Sequence, residues 1–223
     1  RWCAQRLSKL NPARESAAPA EPFVLVVDQS AGDCSIGLGQ AGPESFRRML
    51  HEALRDQPDC LVVVKVHPDV IRGRARGHFR RQDLQHPRIR VCADGLHPAA
   101  LLEQAQAVYV VTSQMGFEAL LWGRIVHCFG MPFYAGWGLT LDRLPAPDRR
   151  GQMVPLEALV YAALVAGTRC VDPHHHQPCS IETLMDAIGL QRRLQGADPQ
   201  RVEAFGFTPW KQRSLKRFLA GSA

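Results

Sequence analysis

Polar residues follow three apolar runs of this 223-residue sequence, where they could bind an anionic group. They are Asp28, Gln29 and Asp33 after the first run, His67 after the second, and Thr112, Ser113 and Gln114 after a later one. A carboxylate can serve as a nucleophile or a general base, and a histidine can donate to a phosphate or a leaving group. The free amides at a helix start attract anions. These residue types predict chemistry on a phosphate-containing substrate.

Each motif also has a simpler structural explanation. The polar residues of "TSQMGFEAL" (112–120) are typical of any capped helix, and a His-Pro pair commonly ends a strand. An Asp in the glycine-containing segment "VVDQSAGDCSIGLG" (26–39) can merely cap a turn. That segment lacks both the dinucleotide fingerprint and the Walker A ending. No single motif therefore decides the function.

Several neighbouring residues complete the expected binding surface. Gly116 would allow a phosphate to approach the backbone, and Glu118, expected in the first helical turn, would accept hydrogen bonds from ribose hydroxyls. Lys65 lies inside the second strand pattern, and Pro68 restricts the backbone where the chain leaves the sheet. The aromatic and glycine residues of "FGMPFYAGWGLT" (129–140) suit stacking on a sugar or base, or docking on the core. Its candidate binding residues are Tyr134, Gly136 and Trp137.

These side chains need elements that bring them together. Apolar runs predict strands at 23–28, 60–68, 87–94, 107–113 and 124–130, and helical periodicity predicts helices at 45–56, 97–106 and 116–123. Alternating strands and helices indicate an α/β fold with a Rossmann-like, doubly wound parallel sheet. Ligands of such sheets bind beyond the carboxyl ends of the strands, so the polar residues should meet at one rim.

The remaining chain predicts a three-part organisation. The first part, residues 1–22, is rich in Ala and Pro after residue 10 and indicates a linker or the end of a preceding segment. The second part, 23–172, is the expected Rossmann-like domain. The third part, 173–223, is an expected helical extension that leads toward a following module. Helices are predicted at 155–167, 181–195 and 208–220, with 172–179 irregular. Because the sequence begins at Arg1 without Met, we expect a piece of a longer protein.

Composition limits the partners. The net charge is +6, and seven arginines lie between Arg72 and Arg90 with Asp83 as the only acid. Such a stretch suits an anionic lipid, a polyanionic substrate or a solvated surface. Nucleic acid is not expected, because aromatic side chains are not interleaved with the arginines.

Seven dispersed cysteines predict reduced thiols in the cytoplasm. No apolar run is long enough to span a membrane. The His174–His176 run with Cys179 lacks complementary zinc-ligand spacing, so a surface loop is expected.

Four motifs in order resemble a known family. "VLVVDQSAGDCSI", "VKVHPDV", "YVVTSQMGFEALLWG" and "FGMPFYAGWGLT" look like the capsule polysaccharide synthesis family whose members transfer β-linked Kdo, the KpsC-type retaining Kdo transferases. The resemblance runs from Phe23 to the Asp172-Pro173 pair and returns weakly at 206–219.

The resemblance implies a GT-B glycosyltransferase, in which two Rossmann-like halves enclose the active site. This chain matches the nucleotide-sugar half, so the other half is missing. The implied donor is CMP-Kdo, and the implied acceptor is a lipid-linked Kdo chain at the inner face of the bacterial inner membrane, beside the capsule export machinery. The family's His-Pro motif matches His67-Pro68, its Ser/Thr cluster matches Thr112-Ser113, and its Q-x-x-x-D motif matches Gln29 to Asp33.

Retention of configuration then implies two displacements through an Asp-sugar adduct. We expect Asp33 as nucleophile, positioned by Gln29, with Asp28 as the rival nucleophile. His67 and the helix start at 112–116 would stabilise the departing CMP without a metal or another cofactor. Two alternatives remain: an enzyme acting on another nucleotide sugar (a transferase or an epimerase), and a non-catalytic capsule-export module that binds anionic polysaccharide or lipid through Arg72–Arg90.

Overall fold

Six parallel strands form the central sheet in the order β3-β2-β1-β4-β5-β6. They are β1 Phe23–Val27, β2 Leu61–Lys65, β3 Ile89–Cys92, β4 Ala107–Val110, β5 Ile125–Cys128 and β6 Leu141–Asp142. The computed structural model describes residues 1–11, 13, 15, 17–92 and 97–197. β1 pairs with β2 on one side and β4 on the other, so the strand order reverses beside β1. This order confirms the predicted Rossmann-like sheet and creates a switch point between β1 and β4.

Helices cover both faces of the sheet. They are α1 Cys34–Leu38, α2 Pro43–Asp56, α3 Pro68–Ile71, α4 Ala99–Gln104, α5 Gln114–Leu121 and α6 Leu156–Tyr161, which continues as a π-helical turn over Ala162–Ala166. Short 3-10 turns lie at Arg81–Leu84 and Asp148–Arg150. Within the described residues, none of the helices is long and apolar enough to cross a membrane.

Alternation along β1 builds two core layers. Leu25 packs in one layer with residues of α4 and α5, including Leu102 and Phe117. Val26 packs in the other with residues of α2, including Phe46. Successive strand residues point to opposite faces, so a strand covered on both faces reads as a continuous apolar run. All five residues of β1 are buried, which explains why β1 appears in the sequence as a continuous apolar run.

Two differences from the sequence prediction affect the candidate site. α5 begins at Gln114, two residues early, because the Ser113 hydroxyl accepts a hydrogen bond from Met115 N at 3.3 Å. Glu118 is therefore the fifth residue of α5, and its predicted place in the first turn is wrong. The segment after β1 also contains a short helix, α1, which the Asp33 side chain caps.

The chain forms two compact units: one contains Trp2 and Ser8–Thr168, and the other contains Arg1, Cys3–Leu7 and the chain from Arg169. In the second unit, β7 Cys170–Val171 and β8 Pro178–Cys179 pair in antiparallel fashion before α7 Ile181–Ala197. The prediction that 172–179 is wholly irregular is wrong, because its turn is closed by Asp172, which accepts hydrogen bonds from His174 N at 2.7 Å and His175 N at 3.2 Å. The helix at 181–195 is confirmed.

Some predicted features lie outside the described residues. They are positions 12, 14 and 16 of the linker, 93–94 of the third strand, the helix at 208–220 and the weak resemblance at 206–219. The division of the chain at 22 and 172 stays a prediction.

One arginine of the basic stretch caps a helix. The Arg88 guanidinium donates to the carbonyl oxygens of Leu54 and Gln57, each at 2.6 Å, and of Cys60 at 3.2 Å. These groups lie at and just beyond the end of α2, where helix carbonyls lack intrahelical partners.

We expect Arg88→Met to lower the free energy of unfolding by about 1–3 kcal/mol, because Met keeps the apolar stem but donates to none of these carbonyls. Chemical denaturation of the purified protein measures the change. Arg81→Met is the matched control, because Arg81 is exposed and caps no helix end. Equal stability of the two variants would contradict this role of Arg88.

Candidate functional site

A buried glutamine bridges the switch point between β1 and β4. The Gln29 Oε1 atom accepts a hydrogen bond from Thr112 N at 2.9 Å. Its Nε2 atom lies within hydrogen-bond distance of Thr112 Oγ1 at 3.0 Å, Asp33 Oδ2 at 3.2 Å and Ser35 Oγ at 3.4 Å. One amide therefore joins the segments that follow the two strands, as the predicted rim requires.

Asp33 presents an exposed carboxylate at this rim. Its Oδ1 atom accepts a hydrogen bond from Ser35 N at 2.9 Å. Partial burial raises the pKa of Asp33, but hydrogen bonds from Ser35 and Gln29 and the charge of Lys9 outweigh it, so the pKa lies below its ordinary value. Asp33 is thus accessible and ionised at neutral pH.

Asp28, the rival nucleophile, is enclosed by protein. Its side chain is 4% exposed and accepts hydrogen bonds from Gln29 N at 2.9 Å and His78 N at 3.2 Å. A side chain at Gly77 would collide with Asp28 Oδ2, so the backbone closes over the carboxyl group. Burial raises the pKa of Asp28. The carboxyl group therefore anchors the 77–78 backbone and offers little access to a ligand.

His78 is a site residue that the sequence motifs missed. Its Nδ1 atom lies 2.9 Å from Gln29 O, and its ring stacks on Phe46 with centroids 3.7 Å apart. No local pattern identifies this histidine, because it follows Asp28 by fifty residues and meets it only in the folded chain.

His67 follows β2 and joins the same rim. Its Nδ1 atom accepts a hydrogen bond from Asp69 N at 3.2 Å and lies 3.1 Å from Ser30 Oγ. With Nδ1 accepting, we assign the ring proton to Nε2. Burial lowers the pKa of His67 and the charge of Lys9 lowers it further, so the ring is neutral at pH 7. His67 therefore offers one N–H donor.

The residues on either side of His67 lie where the sequence predicted. Pro68 is the first residue of α3, a position that its fixed φ favours. Lys65 ends β2 opposite Val27 of β1, but it is 2% exposed, and this burial argues against its predicted contact with a ligand.

The junction before α5 provides the other predicted binding residues. Thr112 and Ser113 are buried, and Gln114 is exposed at the first position of the helix. The Thr112 hydroxyl also lies 3.0 Å from Ser35 Oγ. The structure thus brings Gln29, Asp33 and Thr112 into one network.

Three predicted substrate contacts require correction. The space that a Gly116 side chain would fill is occupied by Tyr134, which is fully buried and donates to Ser113 O at 2.5 Å. Glu118 is also fully buried; its Oε1 atom accepts a hydrogen bond from Lys9 N at 3.1 Å, and burial raises its pKa. All three residues are buried in the folded chain, which argues against the direct substrate contacts predicted for them.

The aromatic loop docks on the core through more than Tyr134. Trp137 Nε1 donates to Phe133 O at 2.8 Å, and Gly136 N donates to Asp142 Oδ2 at 2.8 Å. Gly136 adopts φ +79°, which disfavours any other residue. The side chain of Trp137 is only partly buried, so it stays a candidate for ligand contact.

Lys9 is a second residue that the motifs missed. It lies in the predicted linker and is exposed, and its backbone is hydrogen-bonded to Glu118 of α5. Its positive charge lowers the pKa of Asp33 and also that of His67. The rim therefore combines a carboxylate, a neutral histidine and a cation, which suits a substrate with a phosphate next to an electrophilic carbon. In the described ranges, no group of three or more His, Cys, Asp or Glu side chains could hold a metal ion.

Two solved structures that this chain resembles are named Kdo transferases. The chain resembles the structure titled "Thermosulfurimonas dismutans KpsC, beta Kdo 2,4 transferase" with a TM-score of 0.78 and 38% identity, covering 84% of this chain and 59% of that one. It also resembles "Thermosulfurimonas dismutans KpsC, beta Kdo 2,7 transferase" with a TM-score of 0.63 and 29% identity. This similarity covers 84% of the present chain and 60% of the solved one.

A family model and two sequence relatives identify the family of this chain. The family model described as "Capsule polysaccharide biosynthesis protein" matches residues 2–169, so the chain belongs to this family, and the predicted resemblance to KpsC-type members is confirmed. The capsule polysaccharide modification protein LipA of Neisseria meningitidis serogroup B is 34% identical over 221 residues, which is 97% of this chain and 31% of LipA. The lipopolysaccharide-processing protein LpsZ of Rhizobium meliloti is 36% identical over 174 residues, which is 76% of this chain and 38% of LpsZ. The chain spans about a third of these relatives' length.

The contact between Gly116 and Tyr134 predicts a stability effect. We expect Gly116→Ala to lower the free energy of unfolding by about 1–3 kcal/mol, because Tyr134 is buried and hydrogen-bonded and has no space to move away. Gly37→Ala, in α1 with open space at its Cβ position, should leave stability unchanged or raise it by up to about 1 kcal/mol. Denaturant titration compares the two variants, and equal values would rule out the steric explanation.

Proposed function

We propose that this chain is the donor-binding half of a retaining transferase that moves β-Kdo from CMP-Kdo onto a lipid-linked Kdo acceptor in capsular polysaccharide biosynthesis. One observation carries the proposal: an exposed, ionised Asp33 is hydrogen-bonded to a buried Gln29 that bridges the switch point of the sheet. The similarity to two named Kdo transferases supports the sugar and the reaction.

The proposed reaction has two displacements. In the first, an Asp33 carboxylate oxygen bonds to the anomeric carbon of Kdo, and the bond from that carbon to the CMP phosphate oxygen breaks, with its electron pair leaving on CMP. In the second, an acceptor hydroxyl oxygen bonds to the same carbon, the bond to Asp33 breaks, and the hydroxyl proton passes to a base. Two inversions retain the configuration. Gln29 orients Asp33, because its amide nitrogen lies 3.2 Å from Asp33 Oδ2.

Burial separates the roles of the two aspartates. An attacking carboxylate must reach the substrate, and Asp33 is exposed, whereas Asp28 is 4% exposed and its Oδ1 atom accepts hydrogen bonds from two backbone N–H groups. Asp33 also stays ionised, whereas burial raises the pKa of Asp28. These contrasts favour Asp33 as the nucleophile and Asp28 as a structural anchor.

Positive charge and N–H donors at the rim would stabilise the leaving CMP. His67 would donate from Nε2, and the start of α5 would attract the phosphate through the helix dipole. Lys9 adds a cation whose charge already acts on both Asp33 and His67. We therefore propose transfer without a metal or other cofactor.

A GT-B cleft needs a second wall, and we propose that another Rossmann-like half of the same protein provides it. Because the acceptor is attached to lipid, the enzyme would work in the cytoplasm at the inner face of the bacterial inner membrane, next to the capsule export machinery.

We expect Asp33→Asn to reduce Kdo transfer by on the order of 10³-fold or more, because the amide still caps α1 but is no longer an effective nucleophile. The assay follows product formation from CMP-Kdo by the full-length protein. Asp59→Asn, a change at another exposed aspartate, is the matched control and should leave the rate unchanged.

Intact-protein mass spectrometry of a slow Gln29→Ala variant with CMP-Kdo tests the covalent step directly. A Kdo adduct that maps to Asp33 supports the double displacement, and an adduct on Asp28 would reverse the assignment. A panel of CMP- and UDP-sugars in the same experiment identifies the donor.

His67 gives an independent prediction about the leaving group. We expect His67→Asn to lower kcat/KM for the donor by on the order of 10²-fold, because the Asn oxygen can still accept from Asp69 N but the Nε2 donor is lost. His67→Gln, which places an amide nitrogen near the Nε2 position, should retain more activity. If both variants matched the wild type, His67 would not bind the phosphate.

A further inference from the structure

The structure divides the arginines of the basic stretch into two groups. Arg88 caps α2, Arg90 donates to Pro87 O at 2.8 Å, and Arg72 lies 4.0 Å from Asp69. Arg74, Arg76, Arg80 and Arg81 are exposed, and within the described residues none of their guanidinium groups has a hydrogen-bond or ion-pair partner. Helix capping and local pairing therefore leave four charges unexplained, of which Arg74 and Arg76 form a pair next to the candidate site.

The backbone of this pair is fixed beside the candidate site. Ala31 N donates to Arg76 O at 2.7 Å, and Ala31 is two residues before Asp33. On either side of Arg76, Arg74 N donates to Asp69 O at 2.8 Å and His78 N donates to Asp28 Oδ1 at 3.2 Å. The chain from 74 to 78 is thus hydrogen-bonded at both ends to the segments that carry Asp33 and His67.

Nearby carboxyl groups do not neutralise this pair. Asp28 is buried against the His78 backbone, and Asp69 lies between Arg72 and His67, 4.0 Å and 3.8 Å away. Asp33 is bonded to Gln29 and Ser35. The two guanidinium groups can therefore bind an external anion, and their planar donors match a carboxylate or a phosphate.

Their position also indicates which anion. Under the proposed function, the donor phosphate lies at His67 and the start of α5, whereas Asp33 contacts the anomeric carbon of the sugar. Arg76 is attached to the segment just before Asp33, on the sugar side of the site. Two carboxylate-bearing sugars meet there: the donor Kdo, whose carboxylate is bonded to the anomeric carbon beside Asp33, and the incoming acceptor, whose sugars each carry a carboxylate. The exposure of Arg74 and Arg76 favours the acceptor, which enters from solvent.

We propose that Arg74 and Arg76 form a binding surface for the carboxylates of the acidic acceptor glycan at the entrance to the transfer site. This proposal rests on the proposed function, and it gives the basic stretch a substrate without invoking a separate export module.

The test compares two charge-matched double variants of the full-length protein. Arg74→Gln with Arg76→Gln removes the proposed surface, and Arg47→Gln with Arg55→Gln removes two exposed charges from α2. We expect the first pair to raise the acceptor KM about ten-fold, which corresponds to about 1.4 kcal/mol for the two contacts together, with the donor KM unchanged. The α2 pair should leave both constants unchanged. An unchanged acceptor KM in the first pair, or a rise in the donor KM alone, would overturn the proposal.

Binding without donor separates this proposal from the proposed function. Calorimetry with a soluble oligo-Kdo acceptor should show weaker binding to the Arg74/Arg76 variant, and the methyl ester of the same glycan should bind both proteins equally weakly. If the wild type binds the glycan through these arginines but transfers nothing from CMP-Kdo, the surface stands and the transferase proposal fails. If the arginines matter for binding to phosphatidylglycerol vesicles but not to the glycan, the acceptor proposal is wrong.

Discussion

The hydrogen bonds of Gln29 across the switch point organise the candidate site. The strand order reverses between β1 and β4, where sheets of this type bind ligands, and the buried Gln29 amide lies at this point. A buried amide must be satisfied at both ends, so the bond from Thr112 N to Oε1 orients the nitrogen toward Asp33. The position of the exposed carboxylate therefore depends on sheet topology as well as on its own loop.

Burial then gives different roles to residues of the same type. Asp28 and Asp33 are five residues apart, yet one carboxyl group is enclosed by backbone and the other faces solvent. Glu118 and Lys9 show a similar relation: the buried acid accepts from the backbone of the lysine, whose charge reaches the rim. In both cases a hidden carboxylate holds a neighbouring segment and an exposed group remains available to a ligand. This arrangement holds the charged groups of the rim in place.

The arginine stretch shows that composition does not reveal the role of each residue. Arg88 satisfies helix carbonyls and would be needed in a protein without any anionic ligand. Arg74 and Arg76 have no such structural role and lie on backbone that is bonded to the site. A run of like charge can thus contain both structural and binding residues, and only the contacts distinguish them.

The sequence by itself determined the sheet, the strand ends and most of the polar residues at the rim. A strand covered on both faces must be apolar throughout, and a capped helix must follow a small polar residue, so both leave local patterns. Tertiary structure alone decided which of those residues reach a ligand. Gly116 and Tyr134 pack against each other, Glu118 is buried, and His78 and Lys9 come to the site from distant segments. The physical reason is that burial and long-range hydrogen bonds depend on chain segments far apart in sequence, which no local pattern records.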